Sequence, residues 1–274
     1  MLFVWTSENF ETLGGQRALK KNKKDNPTTE HFITVYNADF DEEYSNHLTA
    51  MDTFVYATMK LMAGNPYGMD VLYVTPDSIC TYALNEDATE VPQRFTRELR
   101  ESLKRIAENG YFPHISDRRQ TFDTSVFRKK DLTTNWKVEK ATLVPISAYK
   151  KIFQAFELSE IAKVRIFYFF VKLSMLIGYY TGVCTYSLDV IAEKTGVCKK
   201  TVQTYIRTLE AYKVLAVYHM GRNVKCYANF PTNVLGQYYN REKVLQCGQD
   251  TYYSFCSRNK IKQDQESNDR GISA

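Results

Sequence analysis

Residues 188–202 read LDVIAEKTGVCKKTV, and this stretch decides how the second half of the chain folds. Ala192 is a small residue at the point where two helices would cross closely. Gly196 supplies a tight turn, and Val197 is the apolar residue that plugs the corner. Val202 then begins the buried face of the next helix. Because these residue types fall at the required spacing, the stretch predicts a helix-turn-helix.

The helix predicted from Lys199 to Tyr212 divides its side chains between two faces. Its apolar face carries Val202, Tyr205, Ile206 and Leu209. The candidate DNA-binding residues of this helix lie on the polar side and in the first turn: Lys199, Lys200, Thr201, Gln203, Thr204 and Arg207. Glutamine pairs with adenine and arginine with guanine in the major groove, and lysines hold phosphates. We therefore expect this helix to enter the major groove of double-stranded DNA.

A long helix and a hairpin flank the motif. Residues 157–177 are rich in Ile, Phe, Val and Leu and predict a long helix, and Ser187 is the predicted cap of the next one. Residues 214–218 and 224–230 predict two strands joined by a turn. Three helices followed by a hairpin are the order of a winged helix.

The turn of this hairpin adds two basic side chains to the predicted interface. Arg222 and Lys225 suit a wing that lies along the DNA backbone. The alternative is a helix-turn-helix that serves only as a packing or dimer module, with a solvated basic face. The segregation of charge on the helix favours DNA binding over that alternative.

The same order of elements is predicted earlier in the chain. Three helices are expected there: one from Leu48 to a stop at Gly64, one from Pro76 to Leu84, and one from Pro92 to Gly110. Strands are expected over 111–115 and 121–127, joined by a turn at 116–119. The two units are alike in structural order rather than in sequence.

The third helix of this first unit has a mixed outer face. That face combines basic and acidic residues: Arg94, Arg97, Arg100 and Lys104 with Glu98 and Glu101. Acids repel phosphate, and i, i+4 ion pairs on a solvated helix would explain the same pattern. The first unit is therefore either a second DNA contact or a partner-binding module. Arg118 and Arg119 in its turn favour DNA.

Length and composition set the domain organisation. The chain has 274 residues, a net charge of +5 and an aromatic content of 14%, which is typical of a folded protein. We predict a flexible basic arm, two winged-helix domains and a polar, partly disordered tail: 1–31, 32–135, 136–235 and 236–274. The predicted fold class is α+β, mainly α. Residues 32–36 and 138–144 predict two further strands.

Nothing in the sequence indicates an enzyme, a cofactor or a metal site. The six cysteines contain no C-x-x-C pair, the four histidines are scattered, and no P-loop is present. Residues 166–180 are the most hydrophobic stretch, but Lys172 interrupts them, which predicts a buried core helix rather than a membrane span. The apolar start of the chain is too short for a signal peptide. We expect a cytoplasmic protein that does not contact a membrane.

The second unit resembles a known class of DNA-binding domain. From Leu143 to Phe230 the order is an apolar strand, the run YKKIF at 149–153, a long helix, the helix-turn-helix and a wing. This order is similar to the winged-helix domains of replication initiators from plasmids and other mobile elements of Gram-positive bacteria, and to DnaD-type replication domains. Two winged helices in one chain are a further similarity to initiators that bind repeated origin sequences.

The resemblance implies replication initiation or maintenance of a mobile genetic element as the function. A transcriptional regulator with the same DNA contacts is the first alternative, and a conjugation or structural accessory protein is the second. The implied partners are double-stranded DNA, replication or transcription proteins, and a second copy of the chain in a homodimer.

Overall fold

The computed structural model describes residues 3–4, 31–41, 47–63, 71–86, 89–125, 141–177, 184–221 and 224–229. These residues form an α+β protein that is mainly helical, with three small antiparallel sheets. None of their helices is long and apolar enough to cross a membrane.

The helices are α1 (Ala50–Ala63), α2 (Pro76–Leu84), α3 (Gln93–Glu108), α4 (Ile146–Phe153), α5 (Glu160–Leu176), α6 (Leu188–Thr195) and α7 (Lys199–Ala211). The strands are β1 (Phe3–Val4), β2 (His31–Tyr36), β3 (Val71–Tyr73), β4 (His114–Ser116), β5 (Thr121–Asp123), β6 (Ala141–Pro145), β7 (Leu215–Gly221) and β8 (Val224–Asn229). A 3-10 turn at Asn37–Phe40 follows β2. We call α1 to β5 the first unit and α5 to β8 the second unit.

Helix α1 is the central element of the molecule, because it is buried on all sides. Residues 51–61 are all buried, including polar ones such as Thr53 and Lys60. It packs against α3 within the first unit and against α5 of the second unit. Lys60 donates a hydrogen bond from Nζ to the Thr34 carbonyl at 2.9 Å, which satisfies a cation that would be costly to bury alone.

The helix ends of the first unit follow the local signals in the sequence. The Thr75 hydroxyl accepts from the Ser78 N–H at 3.1 Å, and the Ser78 hydroxyl accepts from the Thr75 N–H at 2.9 Å. This reciprocal cap, with Pro76 at the first helical position, confirms the predicted start of α2. Gly110 has φ +73° and follows α3, where the Tyr111 N–H donates to the Ile106 carbonyl at 3.1 Å.

The strands of the first unit are shorter than alternation predicted. Strand β4 begins at His114 rather than at Tyr111, because the backbone of Tyr111 closes the end of α3. Strand β5 ends at Asp123, whose carboxylate accepts from the Ser125 N–H at 2.8 Å and so turns the chain. Both strands join β3, which the sequence analysis missed, in a sheet of order β3-β5-β4.

A second sheet connects segments that lie far apart in the sequence. Its order is β1-β2-β6, with Phe32 opposite Pro145 and Tyr36 opposite Ala141. It confirms the predicted strand over 32–36 and places the later one at 141–145. The pairing crosses the predicted boundary between residues 135 and 136. The buried apolar residues of both units form one continuous cluster.

An ion pair between the half-exposed Arg105 and the buried Asp52 ties α1 to α3. Arg105 donates to the Asp52 carboxylate from Nη2 at 2.8 Å and from Nε at 3.2 Å. The Thr49 N–H and hydroxyl also donate to that carboxylate, at 3.1 and 2.6 Å. Burial acts to raise the pKa of Asp52, but the hydrogen bonds from Arg105 and Thr49 outweigh it and hold the pKa below its ordinary value. The carboxylate is therefore charged at neutral pH.

A buried hydroxyl pair ties α1 to α4. The Thr58 and Tyr149 hydroxyl oxygens lie 2.6 Å apart, and Thr58 also donates to the Phe54 carbonyl at 2.8 Å. Because the Thr58 proton is used in that bond, Tyr149 is the donor to Thr58. Burial raises the pKa of Tyr149, so the phenol is neutral and keeps its proton for this bond.

The hydroxyl pair gives a test of the contact between α1 and α4. Tyr149→Phe is expected to lower the free energy of unfolding by about 0.5–1.5 kcal/mol, because one hydrogen bond is lost. Thr58→Val is expected to cost more, about 1–3 kcal/mol, because it leaves the Tyr149 hydroxyl buried without an acceptor. The double variant should cost less than the sum of the two, as measured by urea unfolding.

Thr53→Val is the matched control. Thr53 is also buried in α1 and donates to the carbonyl four residues earlier, that of Thr49, at 2.8 Å. Within the described part of the chain Thr53 makes no hydrogen bond to Tyr149, so its effect should simply add to that of Tyr149→Phe. If the effects of Thr58→Val and Thr53→Val on the free energy of unfolding both simply add to that of Tyr149→Phe, then Thr58 and Tyr149 are not energetically coupled.

Candidate nucleic-acid interface

Helices α6 and α7 are joined by a short turn at Gly196, the residue at which the sequence predicts a tight turn. The Ser187 hydroxyl accepts from the Val190 N–H at 3.3 Å and caps α6. Gly196 ends α6 with φ +68°, and the Val197 N–H donates to the Ala192 carbonyl at 3.1 Å. Ala192 and Val197 pack against the core. The turn between the helices is thus fixed by backbone hydrogen bonds and by its apolar corner.

A buried lysine anchors this turn to the rest of the protein. Lys172 of α5 is 8% exposed, and its Nζ donates to the Thr195 carbonyl at 3.5 Å. Its ammonium also lies 5.1 Å from the centre of the Tyr168 ring. A cation beside the last carbonyls of α6 interacts favourably with the negative end of that helix. Lys172, which interrupts the hydrophobic stretch in the sequence, therefore has a structural role.

The two faces of α7 are those that the sequence predicted. Val202, Ile206 and Leu209 are buried, and the half-buried Tyr205 ring packs on Phe169 of α5 with ring centres 5.4 Å apart. The opposite face is exposed to solvent and carries Lys199, Lys200, Gln203, Thr204 and Arg207. Among the described residues, the side chains of Gln203 and Arg207 have no hydrogen-bond or ion-pair partner. Both are therefore available to a ligand.

The threonines of α7 are partly committed to its own backbone. The Thr204 hydroxyl donates to the Lys200 carbonyl at 3.1 Å, and the Thr208 hydroxyl donates to the Thr204 carbonyl at 3.0 Å. The Thr204 oxygen can still accept a hydrogen bond, but its proton is in use. Thr204 is therefore better suited to accept from an exocyclic amine of a base than to donate to a base.

An exposed cysteine, Cys198, stands at the N-cap position of α7, and the sequence analysis did not single it out. The Sγ atom of Cys198 lies 3.0 Å from the Thr201 hydroxyl, and Thr201 is half-buried. The Thr201 hydroxyl is therefore engaged by Cys198. The Thr201 hydroxyl and the backbone N–H groups of Thr201 and Lys200 hold the pKa of the Cys198 thiol below its ordinary value. The other cysteines whose burial the structure describes, Cys80 and Cys184, are buried.

Lys199 has an acidic partner, in contrast to Gln203 and Arg207. Its Nζ lies 2.8 Å from Oδ1 and 2.9 Å from Oδ2 of Asp189, in the first turn of α6. Both side chains are more than half exposed, so the pair is weak in water. A DNA phosphate would have to compete with Asp189 for Lys199. The side chain of Lys200 has no ion pair or hydrogen bond within the described chain.

The hairpin of the second unit lies beside α7. Strands β7 and β8 are antiparallel, with Lys225 opposite His219. The backbone of Lys225 is thus placed near the end of the hairpin. Arg222, at the predicted tip, lies outside the described residues.

The outer face of α3 combines ion-paired residues with exposed basic ones. Arg94 donates from Nε to Glu98 at 2.9 Å, and Lys104 lies 3.6 Å from Glu108, so part of the face forms i, i+4 pairs. Arg97 and Arg100 are exposed and have no ion-pair partner in the described part of the chain.

The hairpin turn of the first unit carries two further cations. Arg118 and Arg119 are exposed, without an ion pair to any described residue. The neighbouring Asp117 carboxylate lies 2.7 Å from Nδ1 of His114. Counted with Arg97 and Arg100, four arginines of the first unit therefore have no ion-pair partner among the described residues.

The comparisons with known proteins leave the site to be judged from its geometry. No protein-family model matches the chain, and no curated protein or solved structure matches it significantly. Within the described residues, no group of three or more His, Cys, Asp and Glu side chains is placed to hold a metal ion.

The turns at the ends of α6 and α7 give a matched stability test. Gly196 and Lys213 both have positive φ, +68° and +54°, and both are followed by the same backbone closure. Left-handed backbone costs a residue with a side chain about 1–2 kcal/mol, so Gly196→Ala is expected to destabilise by that amount. Lys213→Gly should stabilise by about 0.5–1 kcal/mol, because relief of strain exceeds the greater chain entropy of glycine.

Urea unfolding of the two variants measures both effects. The carbonyl of residue 213 accepts from Nζ of Lys151 at 2.7 Å, a backbone contact that glycine retains. Opposite shifts of the unfolding midpoint are expected from the two substitutions. A loss of stability in Lys213→Gly would contradict the assignment of strain to that position.

Proposed function

We propose that this protein binds specific sequences of double-stranded DNA, with α7 in the major groove. The observation that carries the proposal is the exposed face of α7. It presents Lys200, Gln203 and Arg207 without ion pairs to any residue that the structure describes, and its first acid is Glu210. A glutamine and an arginine one helical turn apart suit bidentate pairing with adenine and guanine. Lysines in the first turn suit phosphates at the groove edge.

We further propose that both units are winged helices. In the first unit the order is helix, strand, two helices and a hairpin, and β3 pairs with the second strand of that hairpin. In the second unit, α5, α6 and α7 are followed by the β7-β8 hairpin, and Cys184 between α5 and α6 forms an isolated β-bridge. Winged helices place the third helix in the groove and the hairpin along the backbone.

The proposed biological role is replication initiation or maintenance of a mobile genetic element. Its support is the order of elements in the second unit and the presence of two such units in one chain. A transcriptional regulator uses the same DNA contacts, so the two roles differ in the arrangement of target sites rather than in the residues of α7. Repeated sites in the element's own origin support initiation, whereas a site in a promoter supports regulation.

The function is tested by selection of bound duplexes from a random DNA pool. The intact protein is expected to enrich one sequence motif. Gln203→Ala/Arg207→Ala should lose that motif, because both base-reading side chains are removed. Arg207→Ala alone is expected to cost about 1–3 kcal/mol on the selected site and little on random DNA.

The chain offers a matched control for the double variant. Lys150 is an exposed cation in the last turn of α4, and Gln154, four residues later, is the exposed C-cap residue of that helix. Lys150→Ala/Gln154→Ala likewise removes one exposed cation and one exposed glutamine four residues apart, and it should enrich the motif as the intact protein does. Failure of the intact protein to enrich any motif would refute sequence-specific recognition by α7.

The ion pair between Lys199 and Asp189 predicts a difference between two neighbouring lysines. Lys200→Ala should reduce the salt dependence of DNA affinity by about 0.9 in the logarithmic slope, the value for one phosphate contact. Lys199→Ala should reduce it less, because Asp189 already neutralises part of the Lys199 charge. Asp189→Asn should raise the affinity and steepen the slope. An unchanged slope in Asp189→Asn would show that Lys199 does not reach a phosphate.

A further inference from the structure

A cleft opens between the two units, where the N-terminal halves of three helices meet. Its volume is about 140 Å³, and its lining residues come from α1, α3 and α5: Ala50, Met51, Arg94, Glu98, Ile161, Val164 and Arg165. The walls are apolar, and the charged groups are two guanidinium groups and one carboxylate. The cleft therefore has a net positive charge where the units join.

The Arg94 guanidinium keeps most of its donors in spite of its ion pair. Glu98 accepts from Nε of Arg94 at 2.9 Å, and no other hydrogen bond of Arg94 is present among the described residues. Both Nη nitrogens are thus unoccupied. A planar guanidinium presents these donors in the fork geometry that fits phosphate oxygens.

Arg165 extends the positive charge from the cleft towards α7. It is exposed and has no hydrogen-bond or ion-pair partner within the described chain. Arg165 and Phe169 are four residues apart and so lie on the same side of α5. The Phe169 ring packs on Tyr205 of α7, with ring centres 5.4 Å apart. Burial raises the pKa of Tyr205, and the Arg165 guanidinium offsets part of that rise, which agrees with this placement.

We infer that the cleft between Arg94 and Arg165 binds a backbone phosphate of DNA, so that one continuous duplex contacts both units. The inference rests on the proposed DNA binding by α7 and adds Arg165, which no sequence pattern had singled out. The continuous core holds the units in fixed positions, and the cleft lies between α3 of the first unit and the α5 surface that supports α7. Glu98 weakens the site, because its carboxylate repels the phosphate.

The test compares DNA affinity on two duplexes that contain the motif selected by the intact protein. The short duplex spans about 10 base pairs, one helical turn, and the long one spans about 30. Arg165→Gln is expected to lower the logarithmic salt slope by about 0.9 on the long duplex and to leave the short one unchanged. Glu98→Gln, which frees Arg94, should raise affinity on the long duplex only. Lys150→Gln is the control, because it removes an exposed cation that does not line the cleft.

Each outcome distinguishes a phosphate contact that bridges the two units from another role for Arg165. Equal losses on both duplexes in Arg165→Gln would make the residue part of the α7 contact alone and overturn the bridge. No change on either duplex would overturn the phosphate contact while leaving sequence-specific binding intact. Binding of inorganic phosphate at Arg165, with no dependence of DNA affinity on duplex length, would assign the cleft to a free anion and overturn the inference. Failure of the intact protein to bind either DNA duplex would instead refute the proposed function.

Discussion

The packing of α1 against α5 is the constraint on which the other elements depend. Each helix is the first of its unit, and each buries its apolar residues against the other. A helix at the edge of a core has one apolar face, whereas α1 is buried on all sides because elements of both units pack around it within one continuous core. The α3 and α7 surfaces therefore hold fixed positions relative to each other without direct packing between their basic faces.

Buried polar groups determine where the helices attach to this pair. Lys60 binds a carbonyl of β2, Thr58 binds α4, Asp52 binds α3 and, from α5, Lys172 binds the last carbonyl of α6. Each is satisfied by a partner on another element, and an unpaired group in these positions would carry the full penalty of desolvation. The polar contacts thus select one arrangement among the many that apolar packing alone would tolerate.

Local chemistry explains which parts of the fold were readable from the sequence. The caps at Thr75, Ser187 and Gly196 depend on residues within one turn, so the sequence alone locates the helix ends. The face of α7 was equally readable, because burial of Val202 and exposure of Arg207 follow from a period of 3.6.

Elements that depend on distant partners were not readable in the same way. Strand β3 has three residues with exposed Val71 and Tyr73 at its ends, and only pairing with β5 makes it a strand. The Asp189 partner of Lys199 and the position of Arg165 both arise from packing between helices. Helix α4 is different, because the apolar spacing of Tyr149, Ile152 and Phe153 already has a helical period that the sequence analysis did not use.

The double burial of α1 also has a consequence for the newborn polypeptide. Helix α1 ends at Ala63, but α5, which covers one of its sides, begins only at Glu160. At typical synthesis rates the ribosome needs on the order of ten seconds to add the intervening chain. During that interval the side of α1 that later contacts α5 remains open to solvent, and such apolar surfaces attract other nascent chains and chaperones. The order of translation therefore leaves the nascent chain prone to aggregation while the residues between α1 and α5 are being added.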